Sequence, residues 1–295
     1  LGDQGADVVK IEPRAGDSTR LPLFERGGIV PMFANVNRGK RSLVLDLGHQ
    51  AAKDIVLRLA AHADVFVQNF RPGAIERLGL GEREVRAVRP DIVYVSINGF
   101  GEEGPYAHHR AYDPIIQGLS GHVAVQRNLD SGDVVRTIVC DKATAYTAAQ
   151  AITAALLARE RGAGGQHIRI AMLDAALAFI WPDGMLRHTM LGDGVGPGGT
   201  YYESFRLTAT SDGYIVAYSA NQGEFEGFCR AVGHAEWIDD ARFSTMQARL
   251  MNGEAFRILR EQVTRSFTSA ELIARLQREQ VPAGPVHELT DILED

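Results

Sequence analysis

Asp174 is the acidic side chain whose place in the sequence best suits it for chemistry. It lies between the strand predicted for residues 166–172 and a helix that opens with Asp174-Ala175-Ala176-Leu177. Ligands of parallel sheets bind at the carboxyl ends of the strands. The free amides and partial positive charge of a helix's first turn would keep this carboxylate ionised and nucleophilic. Asp is also among the commonest helix N-cap residues, so position alone leaves both interpretations open.

Basic residues also follow predicted strands. Arg71, Arg77 and Arg110 stand in turns or at helix starts, and Tyr112-Asp113 lies close to the last of them. Because a guanidinium group can bind a phosphate through two parallel hydrogen bonds, these arginines suit a phosphorylated ligand. The alternative is that they are solvated surface residues.

Two glycine-containing segments partly match nucleotide-binding motifs. The run Gly99-Phe100-Gly101-Glu102-Glu103-Gly104 has dinucleotide spacing, but its glutamates would oppose a pyrophosphate and no long apolar helix follows. The run Gly39-Lys40-Arg41-Ser42 lacks the earlier glycine of a phosphate loop. We therefore expect a glycine turn after the strand at 91–97, with a dinucleotide-dependent oxidoreductase as an open alternative.

No metal site is predicted. His108 and His109 are adjacent, so they point apart on most backbones, and no carboxylate or cysteine lies at a ligand spacing beside them. Cys140 and Cys229 are the only cysteines, too few for a disulfide framework or a metal quartet. Their scarcity favours a reducing, cytoplasmic location.

The composition excludes several classes of protein. The 295 residues are 45% hydrophobic and 23% charged, which is typical of a soluble globular chain. A formal charge of −6 provides no general basic field, so we expect neither a nucleic-acid nor a membrane partner, and an anionic ligand needs a local basic cluster. No apolar run approaches the ~20 residues that span a bilayer.

The first half of the chain alternates β-branched runs with helical periods, which predicts a parallel sheet covered by helices. Residues 55, 56, 59 and 60 form the expected apolar face of the first long helix. The helix at 143–159 is so rich in Ala and Leu that we expect it to be buried on most of its surface, and Gly162, Gly164 and Gly165 to end it. The expected strands are 7–12, 64–68, 91–97 and 166–172, and the expected helices are 50–62 and 143–159.

A glycine-rich stretch at residues 192–199 marks the predicted domain boundary, between a large domain at 1–199 and a small α+β domain at 200–295. The stretch is either a lid over the site or a plain hinge. In the small domain we expect a strand at 214–218 and helices at 224–232 and 255–267. Thr268 and Glu271 have the spacing of a reciprocal capping box at the start of the last helix.

Several segments carry a resemblance when they are taken in order, namely 5–12, 16–20, 37–42, 69–73, 76–80, 99–106 and 164–175. They resemble the family III CoA-transferases, the CaiB/BaiF group that also contains formyl-CoA transferase and α-methylacyl-CoA racemase. The resemblance implies a large Rossmann-like domain with a parallel sheet, a small α+β domain and a homodimer of interlocked rings. Family members usually have a strand and turn before the position of Leu1 and a further segment after the small domain, so we expect this chain to be a fragment.

The resemblance also implies the site. Asp174 matches the family's nucleophilic aspartate, and CoA or acyl-CoA is a substrate rather than a tightly bound cofactor. Arg14 matches a phosphate-binding arginine of the family only if the usual order of two residues is exchanged here, because Pro13 precedes Arg14. The positions matched to CoA contacts are Arg14, Leu45, Asp46, Asn69, Phe70, Arg71, Arg77, Leu78, Arg110 and Tyr112.

One departure separates two activities of the family. Racemase members have His-Asp where this chain has Tyr112-Asp113, and a phenol, which ionises only near pH ~10, is a poor base at neutral pH. Asp141, matched to the racemase's acid, is then expected to be structural. We therefore expect transfer of CoA from an acyl-CoA to a free carboxylic acid through an aspartyl anhydride and an aspartyl-CoA thioester. A 2-methylacyl-CoA racemase or epimerase and a non-catalytic CoA-binding chain are the alternatives.

Overall fold

In the computed structural model, which describes residues 1–20, 25–126, 133–194 and 205–294, the chain divides into two units, Leu1–Pro182 and Asp183–Asp295. Residues 192–194, the described part of the glycine-rich stretch, fall within the second unit. The predicted boundary after residue 199 lies outside the described residues and stays a prediction.

The strands of the first unit all run parallel, as predicted. β1 (Val9–Glu12) pairs with β2 (Arg41–Val44), and β4 (Val93–Asn98) lies between β3 (Val65–Gln68) and β5 (His167–Ala171). Gln68 is opposite Ser96, and Asn98 is opposite Ala171. Strand β2 was not predicted, because its four residues begin with the polar pair Arg41-Ser42.

Helices cover both faces of β4. On one face Tyr94 packs with Ala60 and Val85, and on the other Val95 packs with Ile152. A central strand buried on both faces is typical of a parallel sheet in an α/β fold. The helices of this unit are α1 (Pro31–Val36), α2 (Gln50–Ala60), α3 (Ala74–Arg77), α4 (Glu82–Val88), α5 (Asp113–Ser120), α6 (His122–Gln126), α7 (Val139–Ala158) and α8 (Met172–Gly184), the last of which crosses into the second unit.

The predicted apolar face of α2 is partly wrong. Ala52, Val56 and Ala60 are buried, whereas Ile55 and Leu59 are exposed. The buried residues repeat every four positions, which places them in one row along the helix. Ile55 and Leu59 precede members of this row by one position and therefore lie at its side.

Helix α7 is less buried than its composition predicts. Tyr146 is 70% exposed and Leu157 is 52% exposed, and Gln150 and Thr153 share their face. The end of the helix is as predicted, since a π-helical turn at Arg159–Ala163 follows and Gly162 has φ 93°. A composition poor in charge shows that a face is uncharged but not that the same chain covers it.

The second unit has an antiparallel sheet of β6 (Thr208–Ala209), β7 (Tyr214–Ala217) and β8 (Ala283–Pro285). Asn221 and Glu224 form a complete capping box, whereas at the predicted box Thr268 accepts a hydrogen bond from the Glu271 amide and only this half is present. Its helices are α9 (Leu186–Thr189), α10 (Gln222–Ala231), α11 (Met246–Met251), α12 (Gly253–Thr264) and α13 (Ser269–Arg278).

Among the described residues, none of the helices has both the length and the apolar character needed to cross a membrane.

Candidate active site

The predicted site residues follow the carboxyl ends of the parallel strands, where α/β proteins bind ligands. Arg14 follows β1, and Leu45 and Asp46 follow β2. Asn69, Phe70 and Arg71 follow β3, Arg110 and Tyr112 lie in the connection after β4, and Asp174 follows β5.

Asp174 lies in the first turn of α8, not at its N-cap. The helix begins at Met172, two residues earlier than predicted, so the capping interpretation is wrong. The side chain is exposed, and its carboxylate accepts no hydrogen bond from the described residues. The carboxylate is thus open to a ligand.

Gly99 joins Asp174 to the segment that carries Arg110 and Tyr112. The Leu173 amide donates a hydrogen bond to the Gly99 carbonyl at 3.1 Å. A Cβ atom on Gly99 would lie 2.3 Å from the Cβ of Ala111, so only glycine permits this approach. Asp174 follows Leu173 and Tyr112 follows Ala111 in the chain. Both therefore lie next to residues that contact Gly99, directly after the end of β4.

The segment after β4 is a turn, as predicted. Gly101 and Gly104 have φ of 86° and 92°, values that favour glycine. The next helix begins only at Asp113. A dinucleotide fingerprint needs a helix N-terminus directly after its glycines, and the described residues here do not provide one.

Asp113 is a positioning residue whose contacts the sequence did not reveal. Its side chain is buried, and Oδ2 accepts hydrogen bonds from the amides of Cys140 at 2.8 Å and Asp141 at 3.0 Å. Oδ1 accepts a hydrogen bond from Gln117 Nε2. The carboxylate thereby ties α5 to the start of α7 and fixes Tyr112, whose side chain is 73% exposed.

Asp141 differs from Asp174 in its surroundings. Desolvation by the surrounding helices, and then the charge of Asp113, raise the pKa of Asp141. Its backbone amide is what contacts Asp113. The structural role expected for its side chain stays a prediction.

The residues matched to CoA contacts near β2 and β3 lie close together. Leu45 and Leu78 pack on one apolar cluster that contains Ile75. The Arg77 guanidinium folds against the turn after Arg71, with Nη1 3.1 Å from the position of a Cβ on Gly73. Asn69, Phe70, Arg71 and Arg77 are all exposed. These neighbours provide positive charge and apolar surface side by side.

Asp46 lies at the edge of that group. Its Oδ1 accepts a hydrogen bond from the Gly48 amide at 2.9 Å, and Oδ2 lies 3.5 Å from His49 Nε2. The carboxylate is exposed, so it shapes the turn after β2 and remains open to solvent.

Arg20, not Arg14, is the arginine fixed at the end of β1. It binds the Glu12 carboxylate through Nε at 2.8 Å and Nη2 at 3.0 Å, and its guanidinium lies 3.5 Å from the centre of the Phe33 ring. Glu12 is 2% exposed, and Ser42 Oγ also donates to it. The hydrogen bonds from Arg20, above all, lower the pKa of Glu12 to about 2. Arg14 is exposed, and its CoA contact stays a prediction.

The cysteines are poor nucleophiles. Burial raises the pKa of Cys140 to about 11 and that of Cys229 to about 12. Because the thiolate is the reactive form, both side chains are inert at neutral pH. Within the described ranges, no three His, Cys, Asp or Glu side chains are grouped closely enough to hold a metal ion.

Comparison with known proteins shows the family of the chain. The sequence pattern of CoA-transferase family III matches residues 1–295. The chain is 32% identical to a succinate–glutarate CoA-transferase of Agrobacterium fabrum, over all of the chain and 76% of that protein. It is also 32% identical to an acetyl-CoA:oxalate CoA-transferase of Acetobacter aceti, over 99% of the chain and 76% of that protein.

A solved structure agrees. The fold matches a CaiB/BaiF family protein from Brucella suis with a TM-score of 0.83 and 32% identity, over 99% of this chain and 80% of that one. With its parallel strands and the open carboxylate after β5, the chain belongs to the family III CoA-transferases.

Proposed function

We propose that the protein transfers CoA from an acyl-CoA to a free carboxylic acid, with Asp174 as the nucleophile. The observation that carries this proposal is the open carboxylate in the first turn of α8, tied through Leu173 and Gly99 to the segment bearing Arg110 and Tyr112. The names of two relatives support the class of reaction, since both are CoA-transferases named for carboxylic acids.

The proposed reaction needs no net oxidation or proton transfer. A carboxylate oxygen of Asp174 attacks the thioester carbonyl. The C–S bond breaks, which releases CoA thiolate and forms a mixed anhydride between the acyl group and Asp174. The thiolate attacks the aspartyl carbonyl, which releases the donor acid and forms an aspartyl-CoA thioester. The acceptor carboxylate displaces the thiolate to form a second anhydride. The thiolate then attacks the acceptor's acyl carbonyl and regenerates Asp174.

The tetrahedral intermediates carry a negative charge that needs donors. Amides in the first turn of α8, other than that of Leu173, which donates to Gly99, suit this role, because they lie beside Asp174 and the helix has no earlier turn to accept from them. The stretch 192–199 is the second candidate. Residues 195–199 lie outside the described ranges, so its role as lid or hinge stays a prediction.

The CoA moiety needs groups for its phosphates and its adenine. We assign the phosphates to Arg71, Arg77 and Arg110, since exposed guanidinium groups bind phosphate bidentately. Phe70 and Tyr112 expose aromatic surface beside them. Leu45 and Leu78 supply apolar surface.

Transfer is favoured over racemisation by the side chain at position 112. An exposed tyrosine stands where racemisation needs a general base, and a phenol is a weak base at neutral pH. We expect no exchange of the α-proton of a 2-methylacyl-CoA with deuterium oxide during incubation with the enzyme. Exchange at a rate similar to turnover would favour a racemase.

We also propose that the protein forms a homodimer that covers the exposed face of α7. Tyr146, Ala154 and Leu157 on this face are uncharged and exposed. The face is continuous along the helix, which a scattered set of surface apolar residues would not be.

Hydroxylamine trapping tests the covalent step. The enzyme is incubated with hydroxylamine and a panel of acyl-CoAs that includes succinyl-CoA and acetyl-CoA. Cleavage by trypsin after Arg169 and Arg187 gives one peptide that contains both Asp174 and Asp183. We expect a hydroxamate at Asp174 only, and only with acyl-CoA present. Turnover with an unmodified Asp174 would exclude the covalent mechanism.

A further inference from the structure

A chain of side-chain hydrogen bonds crosses the three-stranded sheet and ends at a predicted CoA contact. Gln68 Nε2 lies 2.9 Å from Ser96 Oγ, and Ser96 Oγ lies 2.9 Å from His167 Nε2. His167 Nδ1 lies 2.6 Å from a carboxylate oxygen of Glu82. We call these four residues, on β3, β4, β5 and α4, the sheet relay.

The direction of every bond in the sheet relay follows from one backbone amide. The Phe70 amide donates to Gln68 Oε1 at 2.8 Å, so the Gln68 NH₂ group must face Ser96 and donate to it. Ser96 then gives its own proton to His167 Nε2. His167 therefore carries its proton on Nδ1 and donates it to Glu82.

The far end of the sheet relay is held in place. Glu82 is the first residue of α4, and its carboxylate lies 2.9 Å from Arg86 Nε. The His167 ring packs edge-on against Tyr94, with 5.0 Å between ring centres. The imidazole has a fixed place and a fixed carboxylate partner.

Ser96, His167 and Glu82 have the composition of a hydrolase triad, but their placement excludes a nucleophile. Ser96 is 4% exposed, and its hydroxyl accepts from Gln68 while it donates to His167. An attacking hydroxyl needs an open path to substrate. The effect of Ser96 must therefore pass through Gln68, which is itself buried.

We propose that Gln68, Ser96 and His167 are positioning residues that hold the backbone of Phe70 in the conformation that binds CoA. The proposal rests on the assignment of Asn69, Phe70 and Arg71 to CoA in the proposed function. Without the Ser96 hydroxyl, the buried Gln68 amide would lose the acceptor of one N–H group, a costly arrangement. It would rotate to find another, and the Phe70 amide would lose its acceptor.

Ser96→Ala tests the proposal against a matched control. Tyr94→Phe removes the hydrogen bond of 3.1 Å from Tyr94 to the Leu80 carbonyl, also buried and on the same strand but outside the sheet relay. We expect Ser96→Ala to raise KM and the dissociation constant for acyl-CoA about tenfold, with kcat within about twofold. Tyr94→Phe should lower the melting temperature and leave KM unchanged. If Ser96→Ala behaves like Tyr94→Phe, the role is structural and the proposal is overturned.

Arg71→Ala separates failure of this proposal from failure of the CoA assignment. If it leaves KM for acyl-CoA unchanged, the assignment of this loop to CoA is wrong, and the proposal falls with it. If Arg71→Ala raises KM while Ser96→Ala does not, the assignment stands and the sheet relay does not position the loop.

A second measurement uses the unaltered protein and does not depend on folding of a variant. Two-bond nitrogen–proton correlation spectra of the histidine rings identify which nitrogen carries the proton in a neutral imidazole. We expect His167 to show the Nδ1–H tautomer in the wild type and to lose this preference in Ser96→Ala. An Nε2–H tautomer in the wild type would reverse the bond between Ser96 and His167, remove the donor from Nδ1 to Glu82 and overturn the proposal.

Discussion

At the scale of single residues, the proposed chemistry depends on a carboxylate that the described residues leave unpaired. Asp174→Asn keeps the shape of the side chain but removes its nucleophilic oxygen, so we expect CoA transfer to fall by at least ~10³-fold. The melting temperature should not fall, because no described residue bonds to this side chain. Coupled assays of CoA transfer and thermal unfolding measure the two effects.

Asp183→Asn is the control for that substitution. Asp183 is also exposed and lies in the last turn of the same helix, where, within the described part of the chain, its carboxylate accepts a hydrogen bond only from the Gly184 amide. We expect full activity from this variant. Transfer at full speed in Asp174→Asn would contradict the assignment of the nucleophile.

At the scale of elements, Glu12 ties the end of β1 to its surroundings and makes stability depend on pH. The pKa of this carboxyl is about 2 in the folded chain and 4.5 ordinarily. A lowered pKa means that ionised Glu12 favours the folded state, so its contribution is complete above about pH 4.5 and is lost as the pH falls towards 2. Since Arg20 is 41% exposed, we expect a loss on the order of 2 kcal/mol, below the full value of the shift.

Urea unfolding of the wild type and Glu12→Gln between pH 7 and pH 3 checks this expectation. The wild type should be more stable at pH 7, and the difference should shrink as the pH falls. A constant difference across this range would show that Glu12 is not a source of the acid sensitivity.

The elements also show what the sequence can and cannot predict. Strands β1, β3, β4 and β5 and helices α2, α7 and α8 follow from β-branched runs and helical periods, and the edge that carries Asp174 follows from strand direction. The shorter helices α1, α3, α4, α5 and α6 were not predicted. The contacts of Asp113 could not be predicted, because its partner Cys140 is 27 residues away on a helix whose start the sequence does not mark. The sequence did not predict the ion pair between Glu12 and Arg20, because residue type alone does not distinguish Arg20 from Arg14.

The register of the parallel strands explains why the sheet relay was not predicted. His167 reaches Ser96 only because Tyr94, two residues before Ser96, is opposite His167 in the sheet. Shifting one strand by a single residue would turn these side chains to opposite faces. A single sequence predicts the strands but not their register, so it could not predict the hydrogen bonds of the sheet relay.

At the scale of the whole molecule, the exposed face of α7 predicts the oligomeric state. If a second copy covers it, replacing both Tyr146 and Leu157 with Glu should convert a dimer into monomers, because buried carboxylates without partners are costly. Sedimentation velocity gives the mass. The matched control replaces Leu250 and Met251, which are as exposed on the second unit, and should leave the mass unchanged. A monomeric wild type would contradict the proposed dimer.

The absence of a side chain at Gly99 has a wider consequence. The Gly99 backbone meets Ala111 there with room for hydrogen alone, and its carbonyl accepts the hydrogen bond from Leu173. Gly99 therefore contacts both the segment of the proposed nucleophile and the segment of two proposed coenzyme contacts. A methyl group at this one position would push the halves of the proposed catalytic centre apart without altering any reacting atom. Such a substitution should yield a folded, misaligned enzyme that binds coenzyme and rarely turns over.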